Sequence, residues 1–413
     1  MSRSLAQRGT LQRAADLNAY TQRPLNTIIY LGDSITERGG LHGVWTNGAN
    51  PLGFWCWGQT LSGHRLQVIR NAGVGGERTD QILARVQSDV VAYQPGYCHV
   101  LAGTNDVAQA VPMATIQANF TAIWNVLDAA GIRVLTGTIP PRATYTGTMQ
   151  VDTLLLNNWL RAQGRVRRNL TVIDYFSVLV APGLATGRTD LQALDPVDGI
   201  HPTAIGAGIM GRELSTTIST FAPASLDLPT AENIVGNGNL LQYWNRFRQS
   251  TAMTVAPPSG WVQSWTGTVP TFSGVARTDN IPGKWQQIVV PSGTQGTMDA
   301  FSYAFAAGTL QPGDTIYATA EYQVSSLPQS PGGGTSGFGM VLGTSTALNS
   351  GGARSGDLYY FAGNPNFPSF DRSGVFRTPP YIIPTGGADT TVLVRFFMTA
   401  GTYLLDRVGI FKV

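Results

Sequence analysis

The stretch TIIYLGDSIT, residues 27–36, decides how the first half of the chain is read. An unbroken apolar run, Ile28 to Leu31, stops at Gly32 and gives way at once to Asp33 and Ser34. Runs of this kind belong to strands buried on both faces, as in parallel sheets. On this stretch alone Ser34 has two readings. It is either a helix cap that follows a strand or a nucleophile held at the strand's end.

Working outward, further strand candidates appear at 66–73, 97–103, 133–140 and 170–176, several of them near-continuous apolar runs ending in Gly or a turn. Helical stripes lie between them. Ile82, Val86 and Val90 recur every four residues within 80–94, and Ile116, Phe120, Ile123 and Leu127 line one face within 115–131, with Gly131 as a stop. A last helix is expected over 203–221, behind Pro202 and capped by Thr203. Strands alternating with helices predict an α/β unit, flavodoxin-like and three-layered (α/β/α), with a parallel sheet of about five strands. Ligand sites in such sheets lie at the carboxyl ends of the strands.

The pattern changes near residues 222–232. Beyond it TIYATAEYQV (315–324) alternates, with Ile316, Ala318, Ala320, Tyr322 and Val324 on one face. TVLVRFFM (391–398) and TYLLDRVGIFKV (402–413) are also strand-like, and Gly- and Pro-rich loops intervene. Many short strands with such turns predict an antiparallel, all-β sandwich. The division read from the sequence is an N-terminal arm over 1–25, an α/β domain over 26–225 and a β-sandwich over 226–413. A chain of 413 residues exceeds what a single hydrophobic core usually serves, which fits two domains.

Composition narrows the function. A net charge of +3 is too small to imply a nucleic-acid partner. No run of about 18 apolar residues is present to span a membrane, and the first 24 residues hold no apolar core of signal-peptide length. Charged residues are only 12% of the chain, so Gly, Ser, Thr, Asn and Gln must cover much of the surface. Cys56 and Cys98 lie in apolar surroundings and read as buried free thiols; neither has metal-site spacing.

Polar residues gather at three strand ends and before the last helix: Gly32-Asp33-Ser34, then Asn71 with Gly73, Gly75 and Gly76, then Gly103-Thr104-Asn105-Asp106, and finally Asp198 with His201. Each has a use in acyl transfer. A serine at a helix start exposes its hydroxyl and its N–H, glycines let a backbone N–H approach closely, and an Asn amide adds a donor. His201 can take the serine proton, and Asp198, three residues earlier, can orient the imidazole. Ser34 lacks the second glycine of G-x-S-x-G, so the nucleophile elbow of α/β-hydrolases does not apply.

GDS at 32–34, the glycine loop after Asn71, GTND at 103–106 and DGIH at 198–201 together resemble the SGNH (GDSL-like) hydrolase family, in order and spacing over roughly residues 26–222. The resemblance implies Ser34 as nucleophile, His201 and Asp198 as its partners, and an oxyanion hole from the Ser34 N–H, a glycine N–H and Asn105. Gly76 is the glycine chosen, with Gly73 and Gly75 as competitors. No metal or organic cofactor is implied. The end and opening of the second domain resemble, more loosely, carbohydrate-binding jelly-roll modules.

The expectation is therefore a serine esterase that deacetylates a polysaccharide or surface glycan, with a lipase or thioesterase and a non-catalytic glycan-binding or virion component as alternatives. An acetylated polysaccharide or other ester substrate is the expected partner, and a homo-oligomer is allowed. The expected location is extracellular or virion-associated, as in a bacteriophage tail protein, with the cytoplasm as alternative. Asp33 is read as tying its loop together, Asp106 as supporting the site from behind, His99 as a hydrogen-bonded core residue, and Trp55 and Trp57 as core packing.

Overall fold

The structure is a computed structural model and describes residues 26–40, 51–180, 193–195, 197–223, 263–279, 284–304, 311–325, 338–344, 348, 354–358, 371–385 and 391–412. The arm expected over 1–25 and the segment 233–247, part of the second-domain opening likened to jelly-roll modules, lie outside these residues. The chain divides into two compact units, Met1–Val44 with Leu66–His201 and Trp45–Arg65 with Pro202–Val413.

The first half runs β1 (Thr27–Gly32), α1 (Ser34–Glu37), α2 (Phe54–Leu61), β2 (Gln67–Gly73), α3 (Thr79–Asp89), β3 (Tyr97–Leu101), α4 (Thr104–Ala108), α5 (Met113–Ala129), β4 (Arg133–Gly137), α6 (Met149–Val166), β5 (Leu170–Ile173), α7 (Tyr175–Leu179) and α8 (Ala204–Ser219). In the first unit the five strands form one parallel sheet in the order β2-β1-β3-β4-β5. This is the flavodoxin-like order, whose direction of winding reverses between β1 and β3. Gly32 pairs with Gly73 on one side and Leu101 on the other, so β1, β2 and β3 end level with one another.

Both faces of this sheet are buried, as the unbroken apolar runs require. On one face Ile29, Leu31, Cys98, Val100, Val134 and Leu170 pack with Ile82 and Val86 of α3, Phe120 and Ile123 of α5, and Leu156 and Leu160 of α6. On the other, Tyr30, His99 and Tyr175 stand in a row, with ring centroids 5.5 and 5.8 Å apart. His99 Nε2 lies 2.9 Å from the Tyr175 hydroxyl. Burial pulls the His99 pKa down to about 3, so its ring is a neutral core group. Cys56 and Cys98 are buried free thiols.

Helix α6 was not among the stripes read from the sequence, and its burial explains why. Thr153 and Asn157 are buried on it, while Val151 and Leu155 are exposed. Asn157 replaces a helix-to-loop apolar contact with two hydrogen bonds, accepting from Ile139 N–H at 2.8 Å and donating to Ile139 C=O at 3.0 Å.

In the second unit α2 and α8 cross closely at Gly58 and Gly211. A Cβ on Gly58 would collide with Leu214, and one on Gly211 with Trp57. Trp55 and Trp57 are buried, in keeping with the packing role expected of them. The β-rich part comprises β6 (Gln263–Thr266), β7 (Thr271–Ala276), β8 (Lys284–Ala304), β9 (Thr315–Ser325), β10 (Gly339–Thr344), β11 (Arg354–Asp357), β12 (Arg372–Arg377), β13 (Tyr381–Ile382) and β14 (Thr391–Lys412), all in one antiparallel network. The two strands expected over 391–398 and 402–413 are one strand, β14, with a register break between Thr399 and Gly401 against β8. Before the break β14 pairs with β10; after it, with β9. Bulges of this kind let one strand serve two parts of a sheet. The face expected to be buried on β9, Ile316 to Val324, is buried, but Tyr317 and Thr319 on the opposite face are buried too, Tyr317 stacked on Phe411 at 5.0 Å.

The turn after β1 is held by Asp33, which caps α1: its Oδ1 accepts the Ile35 N–H at 3.0 Å. This is the loop-tying role expected of it. Asp33 is 1% exposed. Burial raises its pKa to about 7; the Ile35 N–H pulls against this, the Asp106 charge adds to it, and Arg142 opposes. Between about pH 4, where an unfolded aspartate ionises, and about pH 7, the folded chain holds a proton that the unfolded chain has released. Stability therefore falls as pH rises through that window, by up to about 4 kcal/mol, and the loss is complete above it. Asp33→Asn keeps a capping oxygen and is expected to flatten this dependence. Urea midpoints measured from pH 4.5 to 8 check it, and parallel curves for the two proteins would contradict it.

Candidate active site

Because β1, β2 and β3 end level, the residues that follow them meet at the reversal of the sheet. Ser34 opens α1 directly after β1. Its Oγ lies 2.7 Å from His201 Nε2, and His201 Nδ1 lies 2.7 Å from Asp198 Oδ2. An ionised carboxylate only accepts, so Nδ1 carries the proton and Nε2 is left to accept from the serine hydroxyl. The structure thus brings Ser34, Asp198 and His201 into one hydrogen-bonded chain.

The 195–201 turn is built to present that pair. Asp195 N–H donates to His201 C=O at 2.8 Å, and Gly199 N–H donates to Asp195 C=O at 2.7 Å. Gly199 sits at φ +63°, in the left-handed region that glycine tolerates. Asp198 Oδ1 accepts the N–H groups of Ile200 and His201 at 2.8 and 3.0 Å. Partial burial pushes the Asp198 carboxyl upward, but the His201 N–H, the imidazole and the Ile200 N–H outweigh it and hold the pKa below the usual aspartate value. Arg38 adds a positive charge, with Nη2 3.4 Å from Asp195 Oδ2 and 3.6 Å from Asp198 Oδ2.

The glycine loop after β2 separates its three candidates. Gly73 N–H is committed to Asn71 Oδ1 at 3.0 Å, and a Cβ there would strike the Glu37 backbone. Gly75 packs toward the serine: a Cβ built on it would stand 2.8 Å from Glu37 Oε2 and 3.8 Å from Ser34 Cβ. Gly76, at φ +79°, has nothing within 4 Å of its Cβ position. Asn105 Nδ2 donates to Glu77 C=O at 2.9 Å, which fixes the end of this loop and leaves the second amide N–H of Asn105 over. Asp106 supports the same loop from beneath, accepting Thr79 N–H at 2.9 Å and Thr79 O–H at 2.5 Å.

Three charged residues were missed by the sequence reading. Arg38 and Glu37 lie in the α1 turn itself; three residues beyond Ser34, Glu37 falls on the same side of a helical turn, a spacing that was legible. Arg142 lies between β4 and α6, in a stretch whose sequence marks only a loop. Its Nη2 donates to Thr104 C=O at 3.4 Å, and the neighbouring Ala143 N–H donates to Gly199 C=O at 2.8 Å. The Arg142–Ala143 pair is therefore stapled between the segment that carries Asn105 and the turn that carries His201. Burial lowers the Arg142 pKa, while Tyr145, Asp33 and Asp198 pull it back up. Among the described residues no group of three or more His, Cys, Asp or Glu side chains could hold a metal ion, and no helix is long and apolar enough to cross a membrane.

Residues 30–209 match the model of the GDSL-like Lipase/Acylhydrolase family. No curated protein matches the chain. Among solved structures, a GDSL-like lipase from Bacteroides thetaiotaomicron is 21% identical, with 51% of this chain and 97% of that one covered and a TM-score of 0.38. An acetylxylan esterase from Geobacillus stearothermophilus is 17% identical, with 47% and 94% covered and a TM-score of 0.39. The family match spans Ser34, the glycine loop, Asn105, Asp198 and His201, and it supports a GDSL-like (SGNH) hydrolase assignment for this segment of the chain.

Proposed function

We propose that the chain is a serine esterase that removes acetyl groups from a polysaccharide or surface glycan. The observation that carries the reading is the unbroken chain from Asp198 through His201 to Ser34, with both links at 2.7 Å. His201 Nε2 takes the hydroxyl proton as Ser34 Oγ bonds to the ester carbonyl carbon, and the carbonyl π pair moves onto oxygen. The Ser34 N–H at the start of α1, the Gly76 N–H and the spare Asn105 N–H are assigned to that oxyanion. When the carbonyl re-forms, the sugar oxygen leaves with the proton from His201. Water then repeats the sequence on the acetyl-enzyme. Asp198 holds the ring in the tautomer required and stabilises its charged form. No cofactor enters these steps.

The acetyl and glycan parts of this reading rest on analogy, as do a glycan-binding role for the β-rich unit and an extracellular or virion-associated location. Acetate release from an O-acetylated polysaccharide tests the chemistry. Ser34→Ala is expected to lower kcat on the order of 10⁴-fold or more. Asn105→Ala should cost about 10²- to 10³-fold, as the loss of one oxyanion donor does. Efficient hydrolysis of long-chain acyl esters with no acetate release would instead favour a lipase. Because His201 must be neutral to accept the proton, log(kcat/KM) should fall toward acid pH with a slope near one. A profile with no acid limb would rule out a histidine base.

A further inference from the structure

Two charged side chains beside Ser34 take no part in the steps above. Glu37 places Oε2 against Gly75, on the side of the loop that also faces Ser34 Cβ. Arg142 donates to the C=O of Thr104, the residue before Asn105, its neighbour Ala143 donates to the C=O of Gly199, two residues before His201, and its charge is felt at Asp33, next to Ser34, and at Asp198. Glu37 and Arg142 are both half-buried. Among the described residues the Glu37 carboxylate makes no hydrogen bond or ion pair, and the Arg142 guanidinium makes one long hydrogen bond, 3.4 Å to Thr104 C=O, and no ion pair, its backbone N–H donating separately to the Tyr145 hydroxyl at 3.1 Å. Arg142 therefore keeps most of its five N–H donors uncommitted.

We infer that Glu37 and Arg142 are specificity-determining residues which flank the nucleophile and select an ester of a neutral, hydroxyl-rich alcohol, a glycosyl unit rather than an aliphatic one. This rests on the esterase reading and sharpens its substrate class. A carboxylate only accepts hydrogen bonds and a guanidinium only donates them. A sugar hydroxyl does both, so vicinal hydroxyls on one ring can satisfy the two groups together. An aliphatic alcohol would cover both charges and satisfy neither, and burying an unpaired charge is costly. A carboxylate-bearing alcohol would pair with Arg142 but be repelled by Glu37, and a cationic one the reverse, whereas neutral vicinal hydroxyls satisfy both groups. Sites built to pair polar groups reject substrates that lack them more strongly than apolar pockets reject extra bulk.

The test holds the acyl group and ring size constant and varies only the hydroxyls. The full chain is assayed with a mono-O-acetylated methyl pyranoside and with cyclohexyl acetate. The wild type is expected to favour the pyranoside in kcat/KM by about tenfold or more. Glu37→Gln and Arg142→Met are each expected to cut that ratio about tenfold, with the change in KM for the pyranoside, and Arg142→Lys to retain part of it. Thermal melting of each variant confirms that it is folded. An unaltered ratio in folded variants, with both substrates affected alike, would show a purely structural role and overturn the inference. So would a wild type that cleaves the two esters equally well. If the wild type cleaves neither ester, the esterase reading fails, and this inference fails with it.

Discussion

Burial of the central sheet on both faces is the constraint from which the rest of the first unit follows. Ile28 to Leu31, Cys98 to Leu101 and Val134 to Leu135 are almost wholly removed from water. Uncompensated polar side chains cannot sit along such strands without a large desolvation cost. His99 is tolerated there because it is neutral and bonded to Tyr175. Chemistry is consequently confined to strand ends. The β2-β1-β3 order then decides which ends matter, because the connections from β1 and β3 leave the sheet in opposite directions and open a crevice between them.

The crevice is assembled from backbone bonds as much as from reactive side chains. Asn71 ties the loop after β2 to Glu37 and Gly40, Asn105 ties its far end through Glu77, and Asp106 ties it through Thr79. The turn carrying Asp198 and His201 is closed by its own backbone and joined to the loop after β4 through Ala143. Each proposed reactive group therefore sits on a segment held to its neighbours by hydrogen bonds. Such pre-organisation is what allows a short proton relay to act without prior rearrangement.

The parts of this architecture that were legible in the sequence are those governed by local periodicity. β1 ends where Gly32 interrupts the apolar run, and α5 follows the stripe of Ile116, Phe120, Ile123 and Leu127. Ser34, Asp198 and His201 were legible from four motifs in order, each at a strand end or before a helix, and from the family those motifs resemble. Helix α6 was not, since Thr153 and Asn157 occupy its buried face, Asn157 for a reason that depends on Ile139, a distant partner. The continuity of β14 was hidden by Gly401, which reads as a turn but serves as a register break within one strand. Arg142 was invisible for a similar reason, because its place beside the crevice is set by Thr104 and Gly199 rather than by its neighbours in the chain.

The central claim is that Ser34 is a nucleophile made reactive by His201. Covalent labelling with a fluorophosphonate, followed by peptide mass mapping, tests it most directly, since it reads the attacking atom without reference to any substrate. A single adduct on Ser34 is expected in the wild-type protein, with labelling largely lost in His201→Ala. No adduct on Ser34, or one that forms as fast without His201, would contradict it.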